Sequence, residues 1–226
     1  MLCHGFPSGS GGAATSARTY PELADRISRD VGWSALAFTF RGAGESTGSF
    51  SLGGWLDDVR TAVDHMLALS GVTGVWVAGF GTGGALAICA AADDPRIRGV
   101  AALAAPADFD DWARAPRRLL QHARDIGLIR DPDFPPNPEA WARELRAIRP
   151  VASVSRVRPR PLLIVHGTED ESVPELDARV IGDAHGEAEL RFVTGAGHRL
   201  RHDPRALAVL LGWLDRQRHQ RPPPGP

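Results

Sequence analysis

The sequence contains no lysine, so arginine supplies all 26 of its Lys-plus-Arg residues. A Schiff base on lysine and a Walker-type phosphate lysine are therefore excluded. Cysteine is scarce too: Cys3 and Cys89 both lie in apolar surroundings. Two such cysteines form neither a disulfide framework nor a metal quartet, and they predict reduced thiols in a cytoplasmic protein. We expect no metal and no cofactor.

The chain also lacks an excess of charge of either sign. Its 26 basic and 27 acidic residues leave a formal net charge of −1, which argues against the broad basic surface that nucleic acids and anionic membranes require. No apolar run approaches the roughly 20 residues of a membrane-spanning helix, and the first residues lack the basic and apolar regions of a signal peptide. We therefore expect a small-molecule ligand, with no nucleic acid or membrane as partner.

Hydrophobic residues make up 43% of the 226 residues, enough for the core of a single domain over 1–226. Short β-rich runs alternate with segments of helical period, which predicts an α/β fold with a mostly parallel sheet flanked by helices. Strands are predicted at 35–40, 75–78, 100–104, 162–165 and 190–193. Helices are predicted at 16–30, 55–69, 84–92, 175–184 and 204–217.

Two segments depart from this alternation. Residues 107–148 are rich in Arg, Asp, Pro and Trp, and we interpret them as a small helical cap insertion with two helices around a hinge at 131–136. The polar, proline-rich tail at 217–226 is predicted to be flexible.

Five glycine- or histidine-containing motifs occur in a fixed order. The first stands at the very start, where a strand should be ending, and each of the others follows a predicted strand. They are His-Gly-Phe-Pro at 4–7, Arg-Gly-Ala-Gly-Glu-Ser at 41–46, Gly-Phe-Gly-Thr-Gly-Gly at 79–84, His-Gly-Thr-Glu-Asp continuing to Val-Pro at 166–174, and Gly-Ala-Gly-His at 195–198. Each motif alone is a weak signal, but their order and their positions after strands together are a strong one.

The set resembles the α/β-hydrolase family, in its small dienelactone-hydrolase or serine-aminopeptidase-like branch, over nearly the whole chain. The resemblance implies that backbone amides of Phe6 and Thr82 form an oxyanion hole. It implies equally that Asp170 is the orienting acid and His198 the general base. The same two residues also allow a structural interpretation, Asp170 as a helix cap and His198 as a loop histidine. We predict that they form a hydrogen-bonded pair.

The front of the chain is unusual for that family. Its members place two or more strands before the His-Gly loop, whereas only Met1 to Cys3 precede it here. We expect N-terminal strands to be missing from the sheet, or the true start to lie upstream. The sheet edge next to residues 35–40 is then exposed, which allows a homodimer through that edge.

The decisive departure lies in the nucleophile elbow, Gly-x-Ser-x-Gly, which here has Gly81 in place of the serine. Glycine has no side chain to attack with, so serine hydrolysis through an acyl-enzyme is excluded at this position. Thr82 points elsewhere on so sharp a turn, and Cys3 is expected to be a packing residue. Because the elbow holds its central residue in a strained conformation, glycine retains the turn at little steric cost.

Three functional hypotheses follow. The first is a pseudoenzyme with a degenerate triad that acts as a binding or regulatory protein for an anionic or carboxylate-bearing small molecule, covered by Trp112 and Trp141 of the cap. The second is a hydrolase or lyase that uses the His198–Asp170 dyad without a covalent intermediate. The third is a nicotinamide-dinucleotide-binding protein, because residues 79–84 also fit Gly-x-Gly-x-x-Gly, with Asp108 as the acidic residue further on. The third leaves the motifs around residues 4, 170 and 198 unexplained.

Overall fold

The computed structural model describes residues 1–7 and 11–219. Its five strands form one parallel sheet in the order β1-β2-β3-β4-β5. The strands are β1 (Leu2–Cys3), β2 (Val75–Phe80), β3 (Ile97–Leu103), β4 (Leu162–Gly167) and β5 (Glu189–Val193). The predicted α/β architecture is confirmed, and β2 to β5 coincide with predicted strands.

The predicted helices are confirmed with shifted ends. The main helices are α1 (Tyr20–Val31), α2 (Leu52–Leu67), α3 (Thr82–Asp93), α8 (Glu175–His185) and α9 (Pro204–His219). Among the described residues, no helix combines the length and apolarity needed to cross a membrane.

Two hydrophobic cores lie on opposite faces of the sheet. Because successive strand side chains point to opposite faces, Val100 of β3 packs into one core and Ala101 into the other. Helices α1 and α9 cover the face of Ala101, and α2, α3 and α8 cover the face of Val100. Strands buried on both faces explain the continuous apolar runs in β3 and β4.

The prediction of a strand at 35–40 is wrong. Only Ala37 forms a bridge, to Leu2, and the Leu2 amide donates to Leu36 O at 2.8 Å. The reason is that β1 has two residues and so offers only a short partner. Beyond it, the Phe40 amide donates to the His4 ring at 3.1 Å rather than to a neighbouring strand.

The segment expected to be a cap contains three helices rather than two: α4 (Asp110–Arg114), α5 (Pro116–Asp125) and α6 (Pro138–Ala147). The predicted hinge at 131–136 lies between α5 and α6. A one-turn helix, α7 (Pro150–Ser153), leads back toward β4. At the other end, residues 217–219 of the predicted tail belong to α9, and 220–226 lie outside the described residues.

Candidate functional site

The site lies where two neighbouring strands, β1 and β2, end. The helix after β1, α1, packs on one face of the sheet, and the helix after β2, α3, packs on the other. The loops that leave these strands therefore diverge and open a crevice at the carboxyl edge of the sheet. Open α/β sheets bind ligands at such a switch point.

Gly81 occupies the sharp turn between β2 and α3. Its backbone has φ 54° and ψ −126°, outside the region that L-residues ordinarily adopt. Its amide donates to Leu103 O at 2.8 Å. A Cβ built on Gly81 would lie 3.4 Å from His198 Nε2 and 3.8 Å from the Gly5 Cα. A side chain at this position would therefore fit, and it would face the histidine.

The glycines around Gly81 are required by close packing of backbone. A Cβ on Gly79 would lie 2.3 Å from Gly83 O, and one on Gly83 would lie 2.3 Å from His4 O. Strand β2, the start of α3 and the loop after β1 thus touch without intervening side chains. The motif at 79–84 serves this contact whether or not a ligand binds.

His198 and Asp170, from the loops after β5 and β4, are in direct contact. His198 Nδ1 lies 2.9 Å from Asp170 Oδ2. The Asp170 side chain is fully buried, and that of His198 is 25% exposed. With Nδ1 held by the carboxylate, Nε2 is the ring nitrogen nearest the position of a Gly81 side chain.

The Asp170 carboxylate is held from several sides. Its Oδ1 accepts the amides of Ser172 and Val173, each at 2.9 Å. The buried His166 ring lies beside it, with Nε2 at 3.6 Å from Asp170 Oδ2 and 3.0 Å from Val173 O. Burial works to raise the pKa of Asp170, but the hydrogen bonds from His198, Val173 and Ser172 outweigh it and leave the pKa below its ordinary value. The carboxylate is therefore ionised at neutral pH.

His4 of the first motif supports the loop and does not face the crevice. It is fully buried, its Nδ1 lies 2.9 Å from Gly5 O, and its Nε2 accepts the Phe40 amide. This pattern requires the proton on Nδ1. Burial lowers the pKa of His4 to about 4, so the ring is neutral.

A cavity of about 350 Å³ opens on one side of Gly81, under the cap. Phe6, Thr82, Trp112 and His198 line it, as the sequence analysis expected. We call it the acidic cleft, because its far wall carries the side chains of Asp108, Asp110, Asp111 and Asp177. Burial raises the pKa of Asp177, and the charge of Asp108 adds to this effect.

The two tryptophans predicted to line the cleft are placed differently. Trp112 stands in the wall, with its ring centroid 5.0 Å from that of Phe6. Trp141 is not among the lining residues: it is buried, and its indole N–H donates to Phe50 O at 3.2 Å. Trp141 therefore anchors α6 in the core.

A second cavity, of about 200 Å³, opens on the other side of Gly81, between α1 and the segment after His198. We call it the basic chamber, because Arg199, Arg201 and His202 line it together with Tyr20. Phe6, Gly81 and His198 line both cavities, so the two spaces share a wall at these residues.

A larger concavity lies elsewhere. An open groove of about 1390 Å³ runs past Leu36, Phe38 and Arg130 and includes neither Gly81 nor His198. The motif at 41–46 belongs to its wall, where Arg41 pairs with Asp58 at 2.7 Å. This groove marks the sparsely paired edge of the sheet.

Neither cysteine has the properties of a reactive thiol. Cys3 and Cys89 are buried, and burial raises the pKa of each thiol to about 12. A thiol with so high a pKa is inert at neutral pH. Within the described residues, no three His, Cys, Asp or Glu side chains stand together so that they could hold a metal ion.

Sequence reasoning missed the charges on both sides of Gly81. Asp177 and Arg201 each follow a recognised motif by only three residues, after Pro174 and His198. That spacing was the available signal, since it places both at the carboxyl edge of the sheet. Asp110 and Asp111 gave none, because the position of a cap over the cleft is not encoded locally.

A model of the alpha/beta hydrolase family matches residues 1–210. Est1E from Butyrivibrio proteoclasticus, in a structure with ferulic acid bound, is 23% identical with a TM-score of 0.70 over 96% of this chain and 86% of that one. A monoacylglycerol lipase from Paleococcus ferrophilus is 17% identical, with a TM-score of 0.66 over 95% and 93% of the two chains. Alpha/beta hydrolase domain-containing protein 10 from mouse is 18% identical, with a TM-score of 0.66 over 96% and 88%. No curated protein matches the chain.

Proposed function

Since the chain belongs to the alpha/beta hydrolase family, we propose that it is a member that binds a small molecule and does not form an acyl-enzyme. The observation that carries the proposal is the position of Gly81. A side chain there would face His198 Nε2, yet the residue has none. The dyad is thus left without a hydroxyl or reactive thiol at the place where a nucleophile is needed.

Oxygen atoms of an anionic or carboxylate-bearing ligand fit the space in front of Gly81. Thr82 and Gly83 begin α3, and amides in a first helical turn have no acceptor within the helix. The helix N-terminus contributes about half a positive charge there. The family resemblance expects the Phe6 amide as a further donor, and Phe6 does line the cleft. A ligand oxygen would satisfy these donors.

Acid–base chemistry by the dyad is the second candidate. It is favoured by the 2.9 Å contact of His198 Nδ1 with the ionised Asp170, which leaves Nε2 to exchange a proton with a bound molecule. The dinucleotide hypothesis has less support, because the contacts made at Gly79 and Gly83 already account for those glycines. The proposal includes membership of the dienelactone-hydrolase-like branch. It also includes a cytoplasmic location, which is in keeping with the free thiols of Cys3 and Cys89.

The first test is reactivity of the unmodified protein. A fluorophosphonate probe should leave the mass of the protein unchanged, and p-nitrophenyl acetate should give no burst. Stoichiometric labelling of any residue in the cleft would contradict the proposal. If turnover of any substrate is found, His198→Ala separates the two candidates, because acid–base catalysis by the dyad must be lost in that variant.

The second test is binding. Matched carboxylic acids and their methyl esters should differ in a thermal-shift screen, with larger stabilisation by the acids. Equal shifts for acid and ester would show that an anionic oxygen is not recognised.

A further inference from the structure

We propose that the basic chamber is the subsite for an anionic group, a carboxylate or a phosphate, carried by the ligand of the Gly81–His198 centre. This inference rests on the proposed function, since it assumes that a small molecule binds at that centre. It adds where the charged end of the ligand lies and which residue recognises it.

Arg201 carries the argument. One of its terminal nitrogens donates to Thr19 O, and its guanidinium lies 5.6 Å from the centre of the Tyr20 ring. Its Nε is buried with no hydrogen-bond partner, and it forms no ion pair with any carboxylate of the described residues. Burial lowers its pKa below the ordinary value. A partly buried arginine without a counter-ion is unfavourable, and an anion with two oxygens fits its planar fork.

The residues around Arg201 add further basic side chains to the chamber. His198, Arg199 and His202 also line the chamber, and none of the described lining residues is acidic. Glu22, which is not among the lining residues, acts on Arg201 only through its charge. Asp203 accepts the Arg205 guanidinium at 2.6 Å. An anion beside Arg201 therefore meets a guanidinium that pairs with no carboxylate of the described residues.

The two cavities have opposite electrostatic character, which sets the direction of a ligand that spans them. Four aspartates line the acidic cleft. Arg114 pairs with Asp111 at 2.5 Å, and Arg149 lies 3.5 Å from Asp108 and 3.8 Å from Asp110, so the carboxylates still outnumber the arginines. An anionic end is repelled there and attracted to the chamber. Phe6, Gly81 and His198 line both cavities, and Gly81 adds no side chain to the wall that they share.

The size of the chamber limits what it holds. At about 200 Å³ it is smaller than the roughly 300–1,000 Å³ of sites that enclose a whole drug-sized molecule. It therefore suits one functional group, with the remainder of the ligand in the cleft of about 350 Å³. The ligand class is a small molecule with an anionic terminus and an uncharged or cationic body.

The test is isothermal titration calorimetry with phenylacetate, phenyl phosphate and the neutral phenylacetamide, at constant ionic strength set with sodium chloride. It compares the wild type with Arg201→Met, and with Arg29→Met as a control for loss of an exposed arginine on α1. At least one of the two anions should bind, and its affinity should be the same for the wild type and for Arg29→Met. Arg201→Met should weaken that binding at least about tenfold, or about 1.4 kcal/mol. The anion that loses more affinity identifies the group recognised.

Arg201→Lys covers the case in which Arg201→Met does not fold. Lysine keeps the charge and loses the planar fork, so this variant should bind with intermediate affinity and keep the preference for anion over amide. Equal affinity of anion and amide for the wild type would overturn the inference, and so would the absence of anion binding.

A His198→Ala variant separates failure of this inference from failure of the proposed function. If anion binding is lost in His198→Ala and unchanged in both Arg201 variants, the chamber is not the subsite, whereas the Gly81–His198 centre still binds the ligand. If anion binding depends on Arg201 and is unchanged in His198→Ala, the chamber binds anions and the proposed function of the centre is wrong.

Discussion

Replacing Gly81 with serine tests the geometry of the site most directly. A Cβ at this position would lie 3.4 Å from His198 Nε2 and 3.7 Å from its Cε1, which is ordinary contact distance, so the side chain has room. A hydroxyl carried by that Cβ comes within hydrogen-bonding reach of Nε2. Because Asp170 holds His198 in place, the hydroxyl introduced by Gly81→Ser should act as a nucleophile and give the variant esterase activity.

The same substitution should lower stability, because the backbone is strained for any residue with a Cβ. At φ 54° and ψ −126°, the expected loss in the free energy of unfolding is about 1–3 kcal/mol. For a domain of this size each kcal/mol lowers Tm by roughly 2–4 °C. Gly81→Ala is the matched control, since it carries the same strain and has no hydroxyl.

Differential scanning calorimetry and hydrolysis of p-nitrophenyl acetate measure the two effects. Both variants should lose similar stability, and only Gly81→Ser should react, at a rate at least about 10²-fold above Gly81→Ala. Adding His198→Ala to Gly81→Ser should remove that activity. A folded Gly81→Ser that neither hydrolyses ester nor accepts a fluorophosphonate would refute the assigned geometry, and an Ala variant as stable as the wild type would refute the strain.

Three further outcomes are expected. Because the pKa of His4 is lowered from 6.5 to about 4, the unfolded chain binds more protons between these values, so stability is complete above pH 6.5 and falls by up to about 3 kcal/mol as the pH drops to 4. Urea unfolding across this range should show a flatter profile for His4→Gln, and an identical profile would assign the pH dependence to other groups. Asp170→Ala leaves two amides without their acceptor and should cost about 1–3 kcal/mol, whereas His198→Ala should cost less than about 1 kcal/mol. Equal losses, measured by urea unfolding, would contradict this asymmetry. Gly79→Ala should give no soluble folded protein, because its Cβ would lie 2.3 Å from a backbone oxygen. In Gly182→Ala the nearest atom would lie 3.7 Å from the new Cβ, so this variant should fold and its free energy of unfolding should rise by up to about 1 kcal/mol. Thermal unfolding followed by circular dichroism compares the two variants.

Most of the sheet could be predicted from the sequence, since β3 and β4 are apolar runs of the length that a strand buried on both faces requires. The segment at 35–40 shows where this reasoning stops. It has the composition of a strand, but a strand also needs a partner along its length. The described partner, β1, spans two residues. Pairing is a property of two segments, and a pattern in one of them cannot report it.

The candidate site divides in the same way. The motif order brought His198 and Asp170 together correctly, because parallel strands place their carboxyl ends on one edge. The place of Trp141 in the insertion predicts a position in the cleft, yet Trp141 is buried against Phe50. The aspartates of the cap and Arg201 carried no motif of their own.

The sequence by itself determined which chemistry is available. It has no lysine and a glycine at position 81, and the absence of a functional group holds in any fold. Tertiary structure alone decided the distances and the electric field: Gly81 facing His198, aspartates on one side and Arg201 on the other. The physical reason is that these residues come from loops and helices far apart in the chain. Their approach depends on how helices pack on the two faces of the sheet, and that packing is settled by the whole core at once.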